Sequence, residues 1–344
     1  MIYAIKTAFM KKMIEKKKKN KPFDYQAGET FALTGKEDDT VNNSYYFSAH
    51  DTKSDESLYC RLGVRNCHSE VWFYYAKDGK RYVCKTLLFP DNPPLKVWRE
   101  GEDTWKVAFD GDLTDKDGQI KKAVFLGTFT STQPPIDFFS DMPSVRTAKA
   151  MAAEKWNKAF FAEMQNNNQV HYEQTGVLQG VLKIGNEVDV QISLPCVRDH
   201  SYGKRDWNYM NNHLWLMAVN ETSQLNFSMV SYPTMTLEVG NFKPSDKPMA
   251  YVLQATYNRK KMAQGNVPQT LSIVLTLDNK TQITVGVEKT DEEVYSFQNG
   301  EYCLIEGIAS FSIDGVSYRG IFEMGFNQDK NRWFNGKDIR KLKI

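Results

Sequence analysis

Turn dipeptides recur along most of this chain at short intervals, and between them lie runs rich in Tyr, Phe, Val, Ile and Thr. Asp78-Gly79, Asp110-Gly111, Asp117-Gly118, Gly185-Asn186, Asn299-Gly300 and Asp314-Gly315 each offer residues that reach positive φ at low cost, as tight reversals require. A chain punctuated in this way folds as antiparallel hairpins taken in sequence order. Such a meander removes its edges by closing into barrels or pairing into sandwiches. Ser69–Tyr75 followed by Lys80–Cys84 reads as one hairpin and Ala309–Ile313 followed by Val316–Tyr318 as another. Asn212–Val219 reads as a strand whose alternation puts His213 and Trp215 on one face. The expected fold class is all-β and mainly antiparallel.

Two segments break the pattern. Ile2, Ile5, Phe9 and Met13 recur at helical spacing with lysines between and after them, which predicts a short basic amphipathic helix within residues 1–19. Such a helix is either a solubilising tail or a surface for a membrane or a partner. Pro143–Gln165 predicts a longer helix, with Asp141 as N-cap and Pro143 in the first turn. Its apolar stripe is Val145, Ala148, Ala152, Trp156, Ala159, Phe160 and Met164. Placed after Gln133-Pro134-Pro135, it would join two β-rich halves. The chain, at 344 residues, is long enough for two domains. The expected division is a basic segment over 1–22, an N-terminal domain over 23–185 that includes the helix at 143–165, and a C-terminal domain over 186–344.

The net charge of +2 conceals an asymmetry, because residues 1–21 hold eight lysines and one acid, Glu15, leaving about −5 on the remainder. A mildly acidic body argues against a nucleic-acid partner. No apolar run is long enough to span a bilayer and the first residues lack the pattern of a secretory signal, so the cytoplasm is the expected compartment, with membrane contact open through the basic N-terminus. Cys60, Cys67, Cys84, Cys196 and Cys303 are odd in number and without CxxC spacing, which suggests reduced thiols and no zinc site. Glycine-rich phosphate loops, HExxH, GxSxG and EF-hand loops are all missing, so no cofactor is expected. An aromatic-rich β protein remains, a composition suited to a barrel lined for an apolar ligand.

The densest run of proton-active groups is Arg198-Asp199-His200-Ser201-Tyr202-Gly203-Lys204-Arg205-Asp206-Trp207, which opens at the end of a strand. Two further passages accompany it. One runs from Ser44-Tyr45-Tyr46-Phe47-Ser48-Ala49-His50-Asp51 to Arg61-Leu62-Gly63-Val64-Arg65 and Glu70-Val71-Trp72-Phe73; the other is Tyr318-Arg319-Gly320-Ile321-Phe322-Glu323-Met324-Gly325. With Tyr172-Glu173-Gln174-Thr175-Gly176 they resemble the carotenoid 1,2-hydratase (hydroxyneurosporene synthase) and AttH-like superfamily over about residues 40–330. That resemblance implies two tandem lipocalin-like (calycin) β-barrel domains. It also implies, from some members, hydration of isolated isoprenoid double bonds, with cyclases as more distant relatives.

Three readings of function follow. The first is an enzyme acting on an apolar, unsaturated isoprenoid, terpenoid or polyketide in a barrel or interdomain cavity, as a hydratase, isomerase or cyclase. Protonating an alkene needs an acid kept protonated by apolar surroundings and aromatic faces for the cation. Asp199 is the expected donor, His200 the residue that positions it or activates water, and Asp206 the second candidate acid. Tyr202, Trp207, His213, Trp215, His50 and Glu323 are expected at the ligand. The second reading is a non-catalytic lipocalin-like carrier, and the third a scaffold with a filled barrel. The decapeptide has a structural alternative as well, in which Arg198 and Arg205 pair with Asp199 and Asp206 as a buried clamp packed by His200 and Trp207. His200, His213 and Asp199 form the one candidate metal set, and no metal is expected.

Overall fold

A computed structural model describes residues 1–158, 160–162, 169–259, 267–297 and 300–329. The chain divides into two compact units that interleave in sequence: Asp24–Asp137 with Asn168–Arg205, and Met1–Phe23 with Phe138–Asn167 and Asp206–Ile344.

The first unit is a β-barrel. Strands β1 (Val41–His50), β2 (Ser57–Val64), β3 (Ser69–Lys77), β4 (Lys80–Val83), β7 (Thr104–Asp115), β8 (Ile120–Ser131), β10 (Val170–Ile184) and β11 (Val190–Lys204) pair in the order β11-β1-β2-β3-β4-β7-β8-β10. The antiparallel pairing of β10 with β11 then closes the ring. Short strands β5 (Leu88–Phe89), β6 (Leu95–Arg99) and β9 (Ile136–Asp137) attach to β3, β7 and β10. Alternation sends Phe47 and Ala49, Leu58 and Cys60, Leu178 and Leu182, and Leu194 and Cys196 into one core. A one-turn helix, α2 (Tyr25–Glu29), precedes the barrel and is capped by Asp24, whose side chain accepts from Ala27 N.

In the second unit, β12 (Asn212–Val219), β13 (Gln224–Ser231), β14 (Thr236–Lys243), β15 (Ala250–Thr256), β16 (Thr270–Leu277), β17 (Gln282–Phe297), β18 (Tyr302–Ile313) and β19 (Val316–Asn327) form a closed eight-stranded barrel in sequence order. Leu214, Leu216, Phe227, Ile273, Val285, Phe311 and Phe322 fill it. Helices α1 (Ile2–Asn20) and α3 (Ser144–Ala153) belong to this unit, where Met10 and Ile14 pack with Ala148, Met151, Phe160 and Met235.

Both barrels and the all-β class agree with expectation, while several local details differ. Residue 185 is not a junction: Gly185 is the turn between β10 and β11, because β10 is bonded to β8 on one side and β11 on the other. The helix expected over 143–165 ends at Ala153, with Glu154 extended and Trp156 Nε1 returning to Met151 O at 2.9 Å. Its N-cap is Pro143, without a side-chain cap bond, in place of Asp141. Ala159 and Met164 lie outside the described residues, as do Asn299 and residues 330–344. Asp110-Gly111 is no turn but part of β7, where Gly111 makes room for Phe109 Cζ and Pro94 Cβ. The five cysteines are unbridged.

Candidate functional site

Strand alternation splits the decapeptide. Arg198 and His200 continue the inward series of Leu194 and Cys196, whereas Asp199 points from the opposite face of β11. Asp199 and His200 are therefore not partners, which removes both the donor–positioner pair and the metal set that required the two together.

Inside the first barrel, Arg198 Nη2 donates to Glu29 Oε1 and Oε2 at 2.6 and 2.9 Å, and Nη1 to Gln174 Oε1 at 2.8 Å. The guanidinium lies 4.0 Å over the Trp105 ring, whose Nε1 also donates to Glu29 at 2.9 Å. Burial pushes the Glu29 carboxyl up, but its His200 and Arg198 contacts outweigh this and bring it down to about 2, so it is ionised at neutral pH. His200 stacks on Tyr45 at 4.2 Å and meets the Tyr172 hydroxyl at 2.5 Å through Nδ1 and Asn43 Oδ1 at 2.8 Å through Nε2. Burial holds its pKa below the ordinary value. The Tyr172 hydroxyl also lies 2.7 Å from Glu29 Oε1, so one phenolic proton faces two acceptors. Arg61 and Arg65 grip Glu70 in the same unit at 2.7 and 2.8 Å. These are buried ion pairs, and the Arg198 network ties α2 to the barrel end.

On the opposite face of β10 and β11, His171 Nε2 lies 3.0 Å from both Glu173 Oε1 and Asp199 Oδ2. Among the described residues this is the one group of three His, Cys, Asp or Glu side chains whose donor atoms all lie within 4.8 Å. An imidazole with two carboxylates suits a divalent ion, and equally a protonated imidazole between two anions. Burial pulls the His171 pKa down, yet Asp199 and Glu173 keep it above the ordinary value.

The remaining residues of the motif do local work. Arg205 Nη2 reaches Ser201 Oγ at 3.3 Å, and Tyr202 stacks on Phe31 at 4.5 Å. Asp206 caps the short 3-10 turn Trp207–Tyr209 by accepting from Asn208 N. His50 lies between Ser48 Oγ at 2.6 Å and Ser57 Oγ at 3.1 Å, a satisfied strand-end pair.

The second unit brings other expected residues together. His213 and Trp215 share the face of β12 that points away from Leu214 and Leu216, as expected. His213 Nε2 meets Glu323 Oε1 at 2.6 Å and Nδ1 meets the Tyr302 hydroxyl at 2.6 Å. Trp207 lies against Tyr302 and His213 at 5.4 and 6.1 Å and stacks on Phe297 at 4.4 Å. Trp215 is the register partner of Glu323. Gly325 makes the cluster possible: a Cβ there would fall 2.6 Å from His213 Nδ1 and 2.5 Å from Tyr302 Cε1. Across β18 and β17, Glu306 is in register with Glu323 and Glu293 with Glu306, and all three are buried. An imidazole bonded at both nitrogens to a carboxylate and a phenol can pass a proton between them. Sequence reasoning missed Tyr302, Glu306 and Glu293, and in the first barrel Glu29.

A family model described as a domain of unknown function, DUF7064, matches residues 32–328. No functionally curated protein matches the chain. Similar solved structures include a Nitrosomonas europaea protein provisionally named as an AttH (11% identity, TM-score 0.51, 89% of this chain and 96% of that one). Kievitone hydratase from Nectria haematococca is another (11% identity, TM-score 0.53, 91% of this chain and 94% of that one). At such identity the likeness shows a shared fold, and it is the fold that the sequence resemblance implied.

Proposed function

The chain belongs to the DUF7064 family of domains of unknown function, and from that premise we propose that it binds an apolar, unsaturated small molecule and adds water across one of its double bonds, with Glu323, His213 and Tyr302 handling the protons. The observation that carries this reading is the doubly bonded imidazole of His213, held at 2.6 Å on each side beside Trp207 and Trp215. A hydratase among proteins of the same fold supports it.

Hydration requires a proton delivered to one alkene carbon, a stabilised cation at the other, and a base that takes a proton from the attacking water. Hydration needs a general acid, and Glu306, the register partner of Glu323, is buried like it. That pair is assigned the acid. The His213–Tyr302 arm takes the proton from water and returns it through Glu323, which restores the starting state. The faces of Trp207 and Trp215 stabilise the cation.

The test is label uptake. Prenylated phenolics, terpenoids and polyenes are incubated with the protein in ¹⁸O water, and products are read by mass. A hydratase yields a product heavier by one labelled water, an isomerase or cyclase one of unchanged mass, and a carrier only the bound compound. Glu323→Gln and His213→Asn are each expected to lower label uptake by about 10²-fold or more. Uptake at the unmodified rate in both variants sinks the assignment.

A further inference from the structure

The N-terminal helix α1 carries two apolar rows, and only one of them is packed. Met10 and Ile14 are buried against Ala148 and Met151 of α3 and against Phe160 and Met235. Ile2, Ile5, Phe9 and Met13, expected from sequence to be a single amphipathic stripe, instead remain 76%, 61%, 51% and 42% exposed. The helix cannot turn to hide them without exposing Met10 and Ile14. Lys6 Nζ, bonded to the carbonyls of Ala152 and Glu154, and Lys18 Nζ, bonded to that of Met142, fix it as it stands. Phe9 is propped by Trp156 at a ring distance of 5.8 Å.

At 100° per residue, positions 2, 5, 9 and 13 form one row about 16 Å long. Lys12, Lys16 and Lys19 fall on the same side of the helix by the same spacing. A contiguous row of large apolar side chains facing water marks an interaction surface rather than ordinary scatter. Its surroundings select the occupant, since residues 1–21 carry eight lysines against one acid. No helix among the described residues is long and apolar enough to cross a membrane, so this one would lie in the plane of an interface.

We propose that α1 docks the protein on an anionic lipid surface, with Ile2, Ile5, Phe9 and Met13 entering the acyl boundary and Lys12, Lys16 and Lys19 meeting the headgroups. Aliphatic side chains flanked by lysine are the composition of an interfacial helix. Nucleic acid would use the lysines and leave the apolar row wet. The inference stands apart from the hydratase reading, although an apolar substrate is one that a bilayer would concentrate.

Vesicle co-sedimentation of the full chain is the test, using phosphatidylcholine vesicles with and without phosphatidylserine at low and high salt. Binding is expected only with phosphatidylserine and weaker in salt. The triple replacement Ile2→Gln, Ile5→Gln, Met13→Gln is expected to weaken it at least tenfold with an unchanged melting temperature, and Lys12→Gln, Lys16→Gln, Lys19→Gln by about fivefold per lysine. Absence of binding to anionic vesicles overturns the proposal. So does binding that the apolar triple leaves intact, or sedimentation without vesicles that the apolar triple abolishes, which would mean that a second copy covers the row.

Discussion

Replacing Glu29 by alanine tests whether the inward half of the decapeptide is a structural clamp. The substitution leaves the Arg198 guanidinium, 0% exposed in the intact protein, without the carboxylate it contacts at 2.6 and 2.9 Å. It also removes the acceptor of Trp105 Nε1 and one of the two acceptors of the Tyr172 hydroxyl. Breaking a buried ion pair from one side costs about 3–5 kcal/mol, and an orphaned neutral donor about 1 kcal/mol more. Water entering the space vacated at α2 offsets part of this, so a loss of about 4 kcal/mol is expected. For a unit of this size that is a fall of about 8–16 °C in melting temperature. Denaturant unfolding followed by tryptophan fluorescence reads it directly, since Trp105 lies under the guanidinium. The carboxyl is depressed from 4.5 to about 2 in the folded state, so its contribution is full above pH 4.5 and fades as the pH falls toward 2. Glu29→Gln should flatten that part of the acid stability profile. Glu29→Leu combined with Arg198→Met removes both charges and should recover most of the loss. A Glu29→Ala cost below about 1 kcal/mol, or a double variant no better than the single one, refutes the reasoning.

Gly325→Ala places a methyl group against His213 and Tyr302, and it should cost about 1–3 kcal/mol and abolish label uptake together; uptake at the unmodified rate would show that the relay is not used. His171 has a raised pKa, so its stabilising contribution is present below 6.5 and is lost as the pH rises through the raised value. Asp199→Asn should lower the His171 midpoint measured by NMR titration and leave label uptake intact. An unmoved midpoint counts against the contact, and lost uptake restores Asp199 as the acid.

What a sequence reveals depends on how far away the cause of a conformation lies. Asp78 and Gly79 take φ of 51° and 73°, a choice made by the two residues themselves, and the hairpin they make was legible. Asp110-Gly111 uses the same letters for another reason, since Gly111 is required by the Phe109 ring and Pro94 beside it. Nothing local separates the two cases. Likewise the helical composition of residues 143–165 does not show that the chain turns extended at Glu154. The junction after Arg205 was hidden because β10 and β11 complete the first barrel only by pairing with β8 and β1, far earlier in the chain.

The decapeptide held more information than its composition. Leu194, Cys196, Arg198 and His200 occupy every second position, so an inward arginine and an inward histidine follow once Leu194 is assigned to the core. An inward guanidinium in a barrel demands a carboxylate, and the same alternation disqualifies Asp199 from supplying it. The counter-charge must then come from a segment that enters at the barrel end. Glu29 in α2 is that segment's carboxylate, but no spacing rule links it to a strand 169 residues away. Alternation also sorts the second unit, where His213, Trp215 and Glu323 share one outward face and Tyr302 and Glu306 reach it by register alone. His200 and His213, both buried, differ in what they can do. His200 is held by a phenol that an ionised, arginine-paired carboxylate also claims, which fixes it in place. His213 links a phenol to a carboxyl group whose register neighbour is a second buried glutamate, the route along which the proposed relay would return its proton.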